Sequence, residues 1–408
     1  MLRRWTSGSA CALLVVVTAG ATAAQDTRAA ELEQRRADRA RTLRPYQPGK
    51  LEQGMLWFER TEPLKKIGPY NGFFVLYDYT YKPVGSGIAF STGYRHDLFD
   101  RRARAVLETG ISFRNYQLVR ADFSTPYLAD DKLEFGVEAT YRHQPQDDFY
   151  GLGFESEEAD RTNYRLDMRT IQGRAVVKPM PWLRVGTRIG LIDTGLGPGT
   201  DSRFPSIEEV FGPAEAPGLQ TEPDYTVGEV FATVDTRDQP GNARAGGLYS
   251  LTWRHYADDE NTPFGFRETN LEVVQFFPIF DKKRVFALRG HVIGTASDEG
   301  AEVPFYFQPT LGGSTSLRSY RDYRFRAPYV FYINAEYRWE AFSGLDMALF
   351  SDWGKVASSW SDLGLAGMRN AYGIGFRFNT YKTVFLRIDV ATGGGEGVRM
   401  HLKYSRPF

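Results

Sequence analysis

The chain has 408 residues, 42% of them hydrophobic and 14% aromatic, with 50 Lys+Arg balanced by 50 Asp+Glu. So many aromatics at zero net charge exclude a disordered chain, and the absence of net basic charge argues against a nucleic-acid binder. No run past residue 24 approaches the ~20 apolar residues of a spanning helix. A transmembrane β-barrel, apolar outside and polar inside, survives, because its average looks soluble; the mean hydropathy here is −0.40.

Residues 1–24 read as a cleaved secretory signal: Arg3 and Arg4, an apolar stretch from Ala10 to Thr18, and small residues at Ala21 to Ala24. The single cysteine, Cys11, precedes the apolar stretch and so is not placed for lipid attachment. Cleavage would leave a Cys-free chain of net charge −2, folding without disulfides. Residues 25–44 are rich in Ala, Glu and Arg, which favours helix, and Pro45, Pro48 and Gly49 end it. Without a clean apolar stripe, this helix is either solvated or a plug in the barrel. Roughly 45 residues separate the cleavage site from the first convincing strand near Asn71, fewer than the ~50 of a small domain. No folded periplasmic domain is expected.

From about residue 69 a period of two takes over. Leu133, Phe135, Val137, Ala139 and Tyr141 alternate with Glu134, Gly136, Glu138, Thr140 and Arg142. Leu183, Val185 and Ile189 alternate with Arg184, Gly186 and Arg188; the pattern recurs over 331–340, 384–391 and 398–405. A soluble sandwich also alternates. Strands of ~9–11 residues, aromatics crowding strand ends, and a pattern that runs on without a covering helix favour a barrel. Stretches 194–224 and 297–327 break the alternation and read as long loops. The expected fold is all-β: one transmembrane antiparallel barrel of about 16 strands over 69–408, after a signal at 1–24 and a short helical or irregular segment at 25–68.

Several stretches carry a family resemblance. They are Phe149-Tyr150-Gly151-Leu152-Gly153 with Tyr164, then Val234-Asp235-Thr236-Arg237-Asp238 with Gly246-Gly247. Leu311-Gly312-Gly313-Ser314 follows, running on to Leu317-Arg318-Ser319-Tyr320, and then Asn334-Ala335-Glu336-Tyr337-Arg338. Phe350-Ser351-Asp352-Trp353-Gly354 and Gly373-Ile374-Gly375-Phe376-Arg377 complete the series. In this order they resemble the bacterial surface-antigen superfamily, the BamA/TamA-like outer-membrane barrels. The resemblance implies a 16-stranded barrel whose sixth extracellular loop folds into the lumen, where Arg318 meets Glu336 and Asp352. Gly312, Gly313, Leu317, Ser319 and Tyr320 match the loop motif, and Asp235, Arg237 and Asp238 match a hairpin motif. Ser319 departs from the family, which has Gly there. Neither the periplasmic POTRA repeats of assembly factors nor the lipase domain of patatin-type relatives is expected in this chain. Tyr404 and the terminal Phe408 resemble the signal read by the barrel-assembly machinery, although Arg406 departs from it.

For chemistry the sequence offers little. Tyr94-Arg95-His96, Tyr141-Arg142-His143 and Trp253-Arg254-His255 suit an aromatic-basic band at a membrane boundary. No HExxH, GxSxG, phosphate-loop or CxxC motif is present, so no catalytic residue, cofactor or metal is expected. The resemblance implies insertion or translocation of protein or lipid at the outer membrane. The expected partners are outer-membrane lipids, the assembly machinery during biogenesis and a separate periplasmic protein, but no nucleic acid. A porin-like channel lined by Arg165, Asp167, Arg169, Arg184, Arg188, Glu336 and Arg338 is the alternative. A lipid-acting barrel enzyme is the third reading.

Overall fold

A computed structural model describes residues 33–35, 38, 49–50, 53–54, 57, 71–76, 86–126, 128–260, 262–380 and 382–403. The chain divides into two units, Met1–Gln53 and Gly54–Phe408. In the first, described residues 33–35, 38, 50 and 53 are helical, so helix recurs beyond Gly49, where Pro45, Pro48 and Gly49 were expected to end it. The signal segment 1–24, Cys11, Tyr404, Arg406 and Phe408 lie outside the described residues.

The second unit is a wall of strands. In chain order these are β1 Gly72–Leu76, β2 Ala89–Leu98, β3 Ala103–Ser112, β4 Gln117–Ser124, β5 Leu133–Phe149, β6 Thr162–Met180 and β7 Leu183–Pro198. A short helix, α1 Ile207–Val210, precedes β8 Tyr225–Asp235, β9 Gly246–Asp258, β10 Phe266–Ile279 and β11 Arg284–Ser297. A long loop then carries β12 Thr310–Leu311 and β13 Phe325–Arg326. The wall resumes with β14 Tyr329–Phe342, β15 Leu345–Ala357, β16 Arg369–Asn379, β17 Val384–Thr392 and β18 Arg399–Lys403. Sixteen of these form one antiparallel meander from β1 to β18, and β12 pairs only with β13.

Contacts across the wall show that it curls. Glu158, between β5 and β6, lies 3.5 Å from the Arg399 guanidinium on β18. Ten strand spacings separate β6 from β18 along the sheet, which would be ~48 Å if it were flat. At the other end, Asn242 donates to the Thr380 carbonyl at 2.9 Å, joining the β8–β9 turn to the β16–β17 turn. A meander curled so that distant members share one lumen has the wall of a barrel, the strand arrangement that lipid permits.

The two faces are inverted relative to a soluble protein. Leu107, Ile171 and Ile189 are more than half exposed, while Glu108, Asp352, Arg377 and Asp389 are at most 2% exposed. A water-facing sandwich hides its apolar side; this wall shows it and hides its charges, as lipid outside and a filled lumen inside demand. The hidden charges are paired: Arg120 with Glu138 at 2.7 Å, Arg174 with Asp122 at 2.6 Å, Arg254 with Glu268 at 2.6 Å and Arg289 with Glu272 at 2.6 Å.

Two expectations are corrected. Strand length is not uniform: β5, β6 and β7 have 17, 19 and 16 residues, longer than a ~9–11-residue crossing needs. β7 accordingly extends to Pro198, into the stretch read as loop from residue 194. The excess projects from the end that carries the long loops, where the inward faces pack on loop residues. The second correction follows from the first. On β6 the lipid-facing register is Ile171, Gly173, Ala175 and Val177, and Arg165, Asp167 and Arg169 continue it upward. These three face outward and do not line the lumen. Tyr164 and Leu166, in the inward register, pack instead with Phe149, Ile207 and Phe305.

The lipid-facing assignment is testable at Leu107. Leu107→Arg should destabilise the barrel in lipid vesicles by about 2–4 kcal/mol if the side chain lies near the midplane, read by urea unfolding. A water-facing position would shift within about 0.5 kcal/mol.

Candidate lid cluster in the barrel lumen

The 298–328 loop between β11 and β14 turns back into the barrel. Its β12–β13 pair makes a stem, and apolar side chains seat it: Leu311, Leu317, Tyr320 and Phe325 pack with Val330 and Tyr332 of β14 and Val356 of β15. The wall makes room for the stem. A Cβ on Gly354 would lie 2.8 Å from the Leu311 side chain.

The loop tip depends on its two glycines. Gly312 and Gly313 have φ of +126° and +80°, which non-glycine residues rarely adopt. A Cβ on Gly313 would also fall 1.9 Å from an Asp322 carboxylate oxygen. Ser316 Oγ accepts from the Gly312 N–H at 2.9 Å and donates to the Gly312 carbonyl at 3.0 Å. Ser319, the departure from the family, is absent from the left-handed region, so serine costs no backbone strain there. Its carbonyl accepts from Arg399 at 3.0 Å.

This tip holds Arg318, which is 1% exposed. Its Nε and Nη2 donate to the two oxygens of Asp352 at 2.8 and 2.6 Å, and Nη1 donates to Glu336 at 2.7 Å. The guanidinium carbon lies 3.4 Å from the centre of the Phe350 ring. The three sequence-matched residues are thus brought together, and the rigid fork of arginine suits two carboxylates at once. The cluster is larger than the sequence match. Asp389 reaches Arg318 Nη1 at 3.3 Å, Arg377 bridges Asp389 and Glu336 at 2.5 and 3.0 Å, and Arg338 and Arg387 add contacts at 2.8 and 2.5 Å. Asn334 donates to Asp352 at 2.8 Å and to the Ser316 carbonyl at 2.7 Å, and the His401 ring lies 2.7 Å from the Arg318 carbonyl. Arg377 was legible, since it ends the Gly-Ile-Gly-Phe-Arg stretch. Arg387 and Asp389 share the polar register of β17, but no local feature ties them to Arg318.

The loop is also anchored away from the cluster. Arg324 bonds Glu396 at 2.5 Å and the Ser156 carbonyl at 2.8 Å, and Arg326 donates to the Phe305 carbonyl at 2.5 Å. Arg321 bonds Glu158 at 2.5 Å, and this hydrogen bond holds the Glu158 carboxyl below its ordinary value. That contact persists at neutral pH and is lost as the pH falls through the lowered value.

The hairpin motif lies at the opposite end. Arg237 forks onto Asp235 at 2.8 and 2.7 Å, and Asp238 accepts from the Arg244 and Ala245 N–H groups at 3.0 and 3.1 Å. Gly246 has φ +82° and lies against the Thr236 carbonyl. Arg244 then holds both oxygens of Asp346 at 2.9 and 2.7 Å. The motif therefore shapes a turn that folds beneath the barrel and does not contact Arg318.

A 16-stranded barrel with an inward loop whose arginine is bound to wall carboxylates is a specific arrangement, and an Omp85 superfamily domain matches residues 102–397. The chain belongs to the Omp85 superfamily. Its fold is similar to that of BamA from Haemophilus ducreyi lacking POTRA domains 1–3, with a TM-score of 0.58 and 15% identity, covering 82% of this chain and 69% of that one. It is also similar to CdiB from Escherichia coli, with a TM-score of 0.51 and 12% identity, covering 78% of this chain and 58% of that one. At these identities the likeness is one of fold. No curated protein matches the sequence. As an Omp85 barrel the chain is an outer-membrane protein, and its charged lumen and exposed apolar wall agree with that setting.

Removing Arg318 should leave three carboxylates facing a widened gap. Breaking such a buried pair costs about 3–5 kcal/mol, so Arg318→Ala should free the loop for tryptic cleavage at Arg321, Arg324 or Arg326 at a rate many times that of the parent in folded, heat-modifiable barrel. Gly313→Ala should have a similar effect through its Asp322 overlap; unchanged cleavage in both variants would place the hold on the loop elsewhere.

Proposed function

We propose that this Omp85 barrel inserts or translocates protein or lipid at the outer membrane, with the 298–328 loop as a lid locked by Arg318. The observation that carries the reading is that Arg318 is buried in the lumen against Asp352, Glu336 and Asp389. A lumen occupied by a bonded loop is a poor passive conduit, which sets the porin-like alternative second. Membership of a superfamily of insertion and translocation barrels supports transport over enzymatic chemistry, so we read the chain as a non-enzyme. β1 and β18, five residues each, are the terminal strands of the sheet. On this reading the barrel opens laterally between them. The C-terminal Tyr404 and Phe408 serve biogenesis by the assembly machinery, and a separate periplasmic protein delivers the client.

The test is catalysis of insertion. Vesicles carrying the purified barrel should fold a urea-unfolded outer-membrane barrel protein faster than empty vesicles, and Arg318→Ala vesicles should lose most of that gain. Equal rates in all three would overturn the insertion reading.

A further inference from the structure

The polarity of β5, β6 and β7 changes sides part-way up the wall. In the outward register, Val137 and Ala139 give way to Tyr141 and His143 on β5, Ile171 to Arg169, Asp167 and Arg165 on β6, and Leu191 to Asp193 on β7. The change falls at one level, because Tyr141 pairs with Arg169 and Arg169 with Asp193 across the ladders, and His143 pairs with Asp167 in the next row. Charge facing hydrocarbon is costly at the midplane and nearly free at the interfaces. This level is therefore the upper edge of the lipid, where headgroups lie.

The side chains form a built patch. Asp167 accepts from the Tyr141 hydroxyl at 3.2 Å, contacts His143 Nδ1 at 2.6 Å and lies 3.2 Å from Arg165 Nε. Arg169 donates to Asp193 through Nη1 alone at 2.6 Å. Gly195 and Gly197 lie across from Asp167 and Arg165, and the Arg165 guanidinium occupies the place of a Cβ at Gly197. The acceptors of Asp167 are used, whereas most N–H groups of Arg165 and Arg169 are not. The Arg169 side chain is 67% exposed. A second patch repeats the chemistry on β9 and β10. In the outward register above Leu251 and Leu271, Arg267 bonds Asp298 through Nε and Nη2 at 3.0 and 2.7 Å, and His255 lies 3.2 Å from the same carboxylate.

We propose that these outward patches, centred on Arg165 with Arg169 and on Arg267, bind the phosphate groups of lipid headgroups at the long-loop end of the barrel. Asp193 holds Arg169 through one N–H and Asp298 holds Arg267 through two, which leaves other guanidinium N–H groups for an anion, and arginine matches phosphate oxygens in pairs. The assignment rests on the membrane-spanning fold and is independent of the insertion role.

The full-length barrel, in nanodiscs of phosphatidylcholine with or without phosphatidic acid, tests this by native mass spectrometry of retained lipid. Arg165→Gln/Arg169→Gln/Arg267→Gln should retain several-fold less phosphatidic acid than the parent. Arg184→Gln, which removes an exposed arginine in the inward register of β7 away from both patches, should retain the parental amount. These sites are exposed, and heat modifiability on gels checks folding of each variant. Equal retention in parent and triple variant, or equal loss in the control, overturns the proposal. Inorganic phosphate binding in detergent that depends on the same three arginines would assign the patches to free phosphate and overturn the lipid reading.

Discussion

The structure turns on one constraint: a charge taken out of water must be paired. The barrel lumen hides Glu336, Asp352, Asp389, Arg318, Arg338, Arg377 and Arg387 almost completely. An isolated ion there would cost several kcal/mol, and its partner repays this only with good geometry. Three carboxylates and four guanidinium groups meet that requirement together. Because one of the four, Arg318, arrives on a loop and the others on β14, β16 and β17, pairing fixes where the loop lies. The apolar seat of Leu311, Leu317 and Phe325 then fills the space that the ion pairs define.

The same constraint explains the wall. Where lipid lies outside, apolar residues face out and charged residues face in, in matched Arg–Glu and Arg–Asp pairs. At the end that carries the long loops the rule reverses: Arg165, Asp167 and Arg169 face out while Tyr164 and Leu166 pack on Ile207 and Phe305 within. The length of β5, β6 and β7 follows, since these strands serve both a lipid-facing wall and the base of a loop layer.

Much of this was legible in the sequence. Period-two alternation marks the strands because each side chain's neighbour faces the other way, and the GG…LRSY stretch with its two wall acids marks the loop. Arg165, Asp167 and Arg169 were misplaced because alternation gives two faces but not which is inside. Once polarity exchanges faces along one strand, the charged register no longer means lumen. Asp389 was missed for a different reason. It lies 71 residues from Arg318, and the successive pairing of β14 to β17 in the sheet, which no local sequence feature announces, sets it beside the loop tip. Ser319 shows the opposite error, since a glycine-to-serine change suggests strain that a residue outside the left-handed region does not suffer.

On the proposed function, bonds from Arg318 to Asp352 and Glu336 keep the loop in the lumen and the lumen closed. Single-channel conductance of the purified barrel in planar bilayers tests it most directly. The parent should show small, infrequent openings, and Arg318→Ala should show larger and longer ones, with Arg318→Lys between them because one ammonium cannot fork onto two carboxylates. A large steady conductance in the parent, unchanged by Arg318→Ala, would contradict the account.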